Sequence, residues 1–262
     1  MADFAIAVAS NNAEILNANL RRSPMIEAGH VPLHGEENAP SASIAYNRLL
    51  DAIDADIVVF AHQDVYLPKG WDSLLRRRIQ ELSQHDPDWA LLGAYGVDFN
   101  LVGFGPVWAT SLGGIVGKVS STPVEVQSYD ELLIIMRKSR GLRFDESLPH
   151  FHMYGTDIVQ TARAAGLKSY VMSLPVVHND RFHEQLDEHF AAGYHYVRRK
   201  WRAYLPLWTP VLKVAWHGLH LTRVRHQNVT SRDVRLGMAS SADIDARTFA
   251  HHCGWFDVTP ST

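Results

Sequence analysis

Short apolar blocks alternate with polar ones along the chain, and their lengths set the expected elements. Phe4 to Ala9 is an unbroken apolar run that stops at Ser10-Asn11-Asn12, which predicts a buried strand ending in a polar loop. Ala13 to Arg22 has helical character, Pro24 marks its end, and Met25 to Ala28 reads as a second strand. The stretch 29–40 is rich in Gly, Pro, Glu and Asn and is expected to be a loop over a sheet edge. Ser41 or Ser43 then caps a helix in which Ile44, Leu49, Leu50 and Ile53 recur at helical spacing. Asp56 to Phe60 follows as a strand, continuously apolar after Asp56 as a buried parallel strand is. It runs out at His62-Gln63-Asp64, after which Pro68-Lys69-Gly70-Trp71 opens a helix that reaches Gln84. Trp89 to Tyr95 is the next strand.

Beyond Gly96 the pattern changes. Gly103, Gly105, Gly113, Gly114 and Gly117 are interleaved with Val, Phe and Trp, which suggests hairpins and loops lining a cleft. Val124–Val126 and Leu132–Met136 read as strands, Thr156–Ala165 as a helix stopped by Gly166, and Ser169–Val177 as a final strand with Pro175 near its end. From Arg181 onward the pattern is helical, aromatic and basic, and the last two dozen residues are so weakly patterned that partial disorder is expected there. Strand and helix in alternation predict an α/β fold, a Rossmann-like mixed sheet flanked by helices. The expected division is a domain over residues 1–180 followed by a helical extension over 181–262.

Composition narrows the function. A chain of 262 residues can bury a sizeable core as one α/β domain. Its formal charge of -3 gives no electrostatic reason to expect nucleic acid as a partner. One cysteine, Cys253, excludes an internal disulfide. The amino terminus has no basic segment before its apolar run, and no stretch approaches the roughly 20 apolar residues of a membrane span, so the cytoplasm is the expected location.

Three short stretches carry candidate chemistry. Ligands of open α/β sheets sit beyond the carboxyl ends of strands, so Asp64 in His62-Gln63-Asp64 points into the expected site. A carboxylate there can hold Mg²⁺ or Mn²⁺ against a diphosphate, or else merely cap the turn into Val65-Tyr66-Leu67-Pro68. Tyr154-Gly155-Thr156-Asp157 opens a helix, where an acid complements the dipole. Its position after the loop 148–153 also lets Asp157 reach the rim of a cleft and accept a proton. Val177-His178-Asn179-Asp180 places a histidine just past the last strand.

Together these stretches resemble the family 2 glycosyltransferases, and more closely their bacterial glycosyltransferase-like branch. The resemblance runs from about Phe4 to Asp180 and is most specific in Ser43-Ile-Ala-Tyr-Asn47 through Trp71 and in Leu142-Arg-Phe-Asp-Glu146 through Asn179. In two places the chain departs from the family's pattern: His62 stands where the first aspartate of its DXD motif would be, and Thr156 where many relatives have glutamate before the base. A His-plus-carboxylate set suits Mn²⁺ better than Mg²⁺.

The resemblance implies a GT-A fold and transfer of a sugar, with inversion, from a nucleotide-diphosphate sugar to an acceptor hydroxyl. It implies donor contacts from Ser10, Asn12, Glu36, Asn47, Gln63 and Asp64, and a metal held by Asp64, His178 and His62. Asp157 would be the general base, and Trp108, Gly113 and Gly114 would line the acceptor side, although a core Trp and turn glycines explain those three equally well. The acceptor would be a saccharide or a lipid-linked one. Two other function classes are weighed against this. A nucleotidyltransferase needs a glycine-rich loop after the first strand, where this chain reads SNNAEILNANLRR. A non-catalytic nucleotide-sugar or carbohydrate binding module would account for His62 and Thr156. The carboxy-terminal apolar residues Trp201, Tyr204, Leu205, Trp208, Leu212 and Trp216, with Arg and Lys among them, admit two readings: a membrane interface, or packing on the catalytic domain or in a homodimer.

Overall fold

The computed structural model describes residues 4–261. Its first half runs β1 (Phe4–Ser10), α1 (Ala13–Ala18), α2 (Pro24–Glu27), β2 (Leu33–Glu37), α3 (Ala42–Ala52), β3 (Ile57–Ala61), β4 (Val65–Tyr66), α4 (Trp71–His85) and β5 (Leu91–Gly93). Short strands follow: β6 (Gly96–Asp98), β7 (Gly103–Phe104), β8 (Val107–Ala109) and β9 (Gly114–Val116), then the longer β10 (Val124–Tyr129) and β11 (Leu133–Arg137). The chain continues with α5 (Tyr154–Ala164), β12 (Ser169–Val171), β13 (Val176–His178) and α6 (Glu188–Lys200). Last come β14 (Leu207–Trp208), β15 (Lys213–Val214), α7 (Leu219–Thr230), α8 (Arg232–Met238) and α9 (Ala246–His252).

The expected mixed α/β sheet flanked by helices is present. Nine strands lie in the order β2-β1-β3-β11-β5-β12-β10-β6-β7, and a second sheet has the order β4-β13-β8-β9. Strands β2, β1 and β3 are parallel, whereas β11 runs antiparallel between β3 and β5. Both faces of the large sheet are covered, which is why its central strands read as continuous apolar runs. Ala5 and Ala7 of β1 face the core that α3, α5 and α6 complete, and Phe4, Ile6 and Val8 face the other, completed by α1 and α4.

Four local expectations are corrected. Met25–Ala28 is no strand: Pro24 at the first helical position starts the short helix α2 instead. Within the expected loop 29–40, Leu33–Glu37 pairs with β1 as a parallel edge strand, and its polar sequence reflects its exposure. The expected strand Ser169–Val177 is two strands in different sheets, β12 beside β5 and β13 beside β8. Finally, within the last two dozen residues, the described stretch 246–261 packs on the rest of the fold. Phe249 stacks on Trp108 with centroids 5.0 Å apart, Asp257 pairs with Lys69 at 2.8 Å, and Val258 donates its N–H to the Lys69 carbonyl. Gly70 makes this docking feasible: a side chain on its left-handed backbone would run into Thr259.

Candidate active site

The site is assembled where strands of opposite direction meet. The register aligns Leu133 with Ala61, and the His62 N–H donates to the Leu132 carbonyl at 2.9 Å. Asp130 and Glu131, which lead into β11, therefore stand beside the exit of β3. In the smaller sheet His178 pairs with Val65, and the Asn179 N–H donates to the Asp64 carbonyl at 2.9 Å. That places His178 next to Asp64. The amino terminus of α5 closes the third side through Tyr154.

One hydroxyl sets the chemistry of His62. Tyr154 Oη donates to the Glu131 carbonyl at 2.9 Å and lies 2.8 Å from His62 Nε2. Its single proton is spent on the carbonyl, so it accepts from Nε2–H, and the His62 Nδ1 lone pair is left on the side of Asp64, 3.9 Å from Oδ1. Burial depresses the His62 pKa, consistent with that neutral tautomer.

His178 behaves oppositely. Burial works against its charge, but Asp64 and then Asp180 outweigh it and raise its pKa to about 10. Asp64 is likewise opposed by burial, yet the two histidines hold its carboxyl well below the usual range. His178 Nε2 lies 3.3 Å from Asp64 Oδ1, an oxygen that is buried and has no hydrogen-bond partner. His62, Asp64 and His178 offer three ligand atoms within 4.8 Å of one another. Two imidazoles and an orphaned carboxylate oxygen are a donor set that fits a borderline divalent ion such as Mn²⁺. The negative field that holds the extra proton on His178 suits such a cation equally.

Two cavities meet at Asp64. One, of about 350 Å³, is lined by Asn12, Asn19, Arg22, Asn179 and Arg181 among others. The second, of about 330 Å³, has His62, Glu131, His178, Asp180 and Phe190 in its wall. Glu131 is the residue the sequence reading missed. Burial, and then repulsion from Asp130, push its pKa up to about 8. The Gly155 N–H at the head of α5 donates to Glu131 Oε1 at 3.3 Å, and a Cβ on Gly155 would crowd that side chain. Its signal was an acid pair directly before an apolar strand. Looking only at the carboxyl ends of strands overlooks it, because β11 is antiparallel and begins where β3 ends.

The expected site residues scatter into two groups. Ser10, Asn12 and Gln63 are brought together: Gln63 Oε1 accepts from Ser10 Oγ and from the Asn11 and Asn12 N–H groups, at 2.8, 3.2 and 3.1 Å. Asn12 also caps α1. Glu36 pairs with Arg48 at 2.6 Å near the end of β2 and lines neither cavity. Asn47 is buried, and its amide is consumed by Phe144 and Glu146.

Asp157, expected as general base, is 2% exposed. Its oxygens accept from Lys200 Nζ at 2.9 Å and Trp201 Nε1 at 2.7 Å, and it too lines neither cavity. Trp108 is buried against Phe249. Gly113 ends a 3₁₀ turn in the left-handed region beneath the Met238 carbonyl, and Gly114 begins β9, so neither borders the cavities.

No family model matches the chain. It is 25% identical over 166 residues to the "ATP synthase subunits region ORF 6" protein of Fuscovulum blasticum, an alignment covering 62% of this chain and 66% of that protein, just under two thirds of its length. Among solved structures it is similar to the mannosyltransferase PcManGT of Pyrobaculum calidifontis in complex with GDP-Man and Mn²⁺. That match has 11% identity and a TM-score of 0.45, covering 96% of this chain and 76% of the other. It is also similar to GalNAc-T7 with UDP, GalNAc and Mn²⁺ (9% identity, TM-score 0.46, covering 99% and 58%). Among the described residues, no helix is long and apolar enough to cross a membrane.

Proposed function

We propose that this chain is a glycosyltransferase of the GT-A type, in the family 2-like branch, moving a sugar from a nucleotide-diphosphate sugar to an acceptor hydroxyl with inversion. One observation carries the reading. Asp64, flanked by His62 and His178 and with an orphaned oxygen, lies between two cavities, and Glu131 stands in the wall of one of them. The donor is assigned to the cavity of Asn12, Arg22 and Arg181. Arg22 pairs there with Asp245 at 3.8 Å, and Glu14 and Asp243 also line the wall, so that a diphosphate would draw its positive charge from Arg181 and from a metal at Asp64. The acceptor, a saccharide or lipid-linked hydroxyl, is assigned to the cavity of Glu131.

His62, Asp64 and His178 would hold the divalent metal, Mn²⁺ in preference to Mg²⁺, which supplies positive charge against the departing diphosphate when bound. Glu131 takes the base role in place of Asp157, because its carboxylate borders the cavity while both oxygens of Asp157 are occupied. The acceptor oxygen bonds to the anomeric carbon, and its proton passes to Glu131 in its ionised form, which a pKa of about 8 makes the majority form only above that pH. The bond from that carbon to the diphosphate oxygen breaks, and its electron pair leaves with the diphosphate. Attack and departure on opposite faces invert the configuration.

The test is a thermal-shift screen of UDP, GDP, CMP and dTDP with and without Mn²⁺, followed by product assays with the sugar donors of any nucleotide that binds. A Mn²⁺-dependent rise in Tm with one nucleotide, abolished in Asp64→Asn, is the expected outcome. Donor binding without product against any acceptor would leave a binding module in place of an enzyme.

A further inference from the structure

The stretch 189–232 contains eight Lys and Arg residues and no Asp or Glu, whereas the rest of the chain carries 17 basic and 28 acidic residues. Charge is therefore segregated along the sequence, although the net charge is only -3. Three of the eight bases are used internally: Lys200 on Asp145 and Asp157, Arg225 on Glu188, and Arg232 on Glu184 and Asp233. The other five, Arg198, Arg199, Arg202, Lys213 and Arg223, have no carboxylate partner among the described residues.

The large apolar side chains of this stretch divide as well. Trp201, Leu205 and Leu212 are buried in the main core with Tyr204 packed against it, so packing accounts for them. Trp216 is 76% exposed, and Leu219, three residues on, is 68% exposed. Trp216 is held in place all the same: Arg198 Nη1 donates to its carbonyl at 3.1 Å, which ties it to α6. Arg198, Arg199, Arg202 and Trp216 line a shallow basin of about 760 Å³.

We infer that this basin and its exposed rim form a docking surface for an anionic lipid bilayer, with Trp216 and Leu219 entering the headgroup region and the arginines that lack a carboxylate partner meeting lipid phosphates. The surface does not depend on the sugar-transfer reading. Charge complementarity selects the occupant. Basic side chains are drawn to an anionic bilayer, and an indole is at home at the headgroup level. An extended polyanion such as RNA would meet the acidic remainder of the chain as it left the patch, whereas a bilayer needs only the one basic face.

Co-sedimentation of the full chain with phosphatidylcholine vesicles, with and without 30 mol% phosphatidylglycerol, tests this. The anionic vesicles should bind at least tenfold more protein, and 0.5 M NaCl should release most of it. Arg199→Glu with Arg202→Glu should cut binding about tenfold or more, and Trp216→Ala should weaken it severalfold, each with an unchanged Tm. Equal binding to both vesicle types, binding indifferent to the double reversal, or preference for a single-stranded RNA oligomer over the vesicles would overturn the inference.

Discussion

Two clusters of carboxylates lie at either side of the head of α5, and they differ in how far their polar atoms are satisfied. Around Asp157, Lys200 bridges Asp157 and Asp145, Trp201 fills the remaining oxygen of Asp157, and Tyr196 donates to Asp145 at 2.7 Å. Every charge there has a partner, and the cluster lines neither of the two cavities that meet at Asp64. Around Asp64 a buried oxygen has no hydrogen-bond partner, a neutral histidine presents a lone pair, and Glu131 is held close to neutrality beside a cavity. A saturated cluster holds the helices α5 and α6 together; an unsaturated one has capacity left for a ligand. Charge and burial alone do not distinguish them, since burial also pushes the Asp157 pKa up.

The largest contrast is expected from paired substitutions. Glu131→Gln should lower kcat about 10³-fold, the usual range for a general base, with donor affinity retained. Asp157→Asn should leave kcat within a few-fold. The reverse result would return the base role to Asp157. Glu131 also sets a pH dependence. Its folded pKa of about 8 lies above its ordinary 4.5, so the stability it contributes is fully present below about pH 4.5 and is lost as pH rises through 8. Tm should therefore fall between pH 5 and 8.5 more steeply in the native chain than in Glu131→Gln, and parallel curves would show that Glu131 titrates normally.

Stability gives the next effect. Asp157→Ala removes the acceptor for a buried indole N–H and one of the two partners of Lys200, at a cost on the order of 3 kcal/mol by urea denaturation. A loss below about 1 kcal/mol would mean the cluster is no structural tie. Gly155→Ala acts from the other side. Its Cβ would lie 2.9 Å from the Tyr129 carbonyl and 3.3 Å from Glu131 Cγ, so the carboxylate must move. A displacement of that kind costs up to about 10² in kcat. Unaltered kinetics in a folded variant would show that Glu131 need not sit where it does.

The sheet was legible because burial on both faces leaves an unmistakable apolar signature in Phe4–Ala9, Asp56–Phe60 and Leu132–Met136. β2 was not, because an edge strand reading Leu-His-Gly-Glu-Glu faces water and carries no such signature. The grouping of His62, Asp64 and His178 could be anticipated from strand ends. Glu131 could not, since its place depends on β11 running antiparallel, which no local pattern reveals. The setting of Asp157 was hidden for the converse reason: its partners Lys200 and Trp201 lie more than 40 residues away, outside any motif.

Asn47 offers the smallest effect and a clean discrimination. The resemblance implies a donor contact, but in the fold its Nδ2 donates to the Phe144 carbonyl and to Glu146, at 2.9 Å each, while its Oδ1 accepts the Phe144 N–H at 3.0 Å. It thus pairs with a distant backbone as a strand neighbour would, pinning the loop before α5 to α3. Asn47→Ala strands a buried N–H and a buried carbonyl, so about 1–2 kcal/mol of stability should be lost while the nucleotide Kd stays within twofold. A tenfold weaker Kd at unchanged stability would place Asn47 in the donor site and would break the rule drawn here, that satisfied groups hold the fold and unsatisfied ones await a ligand.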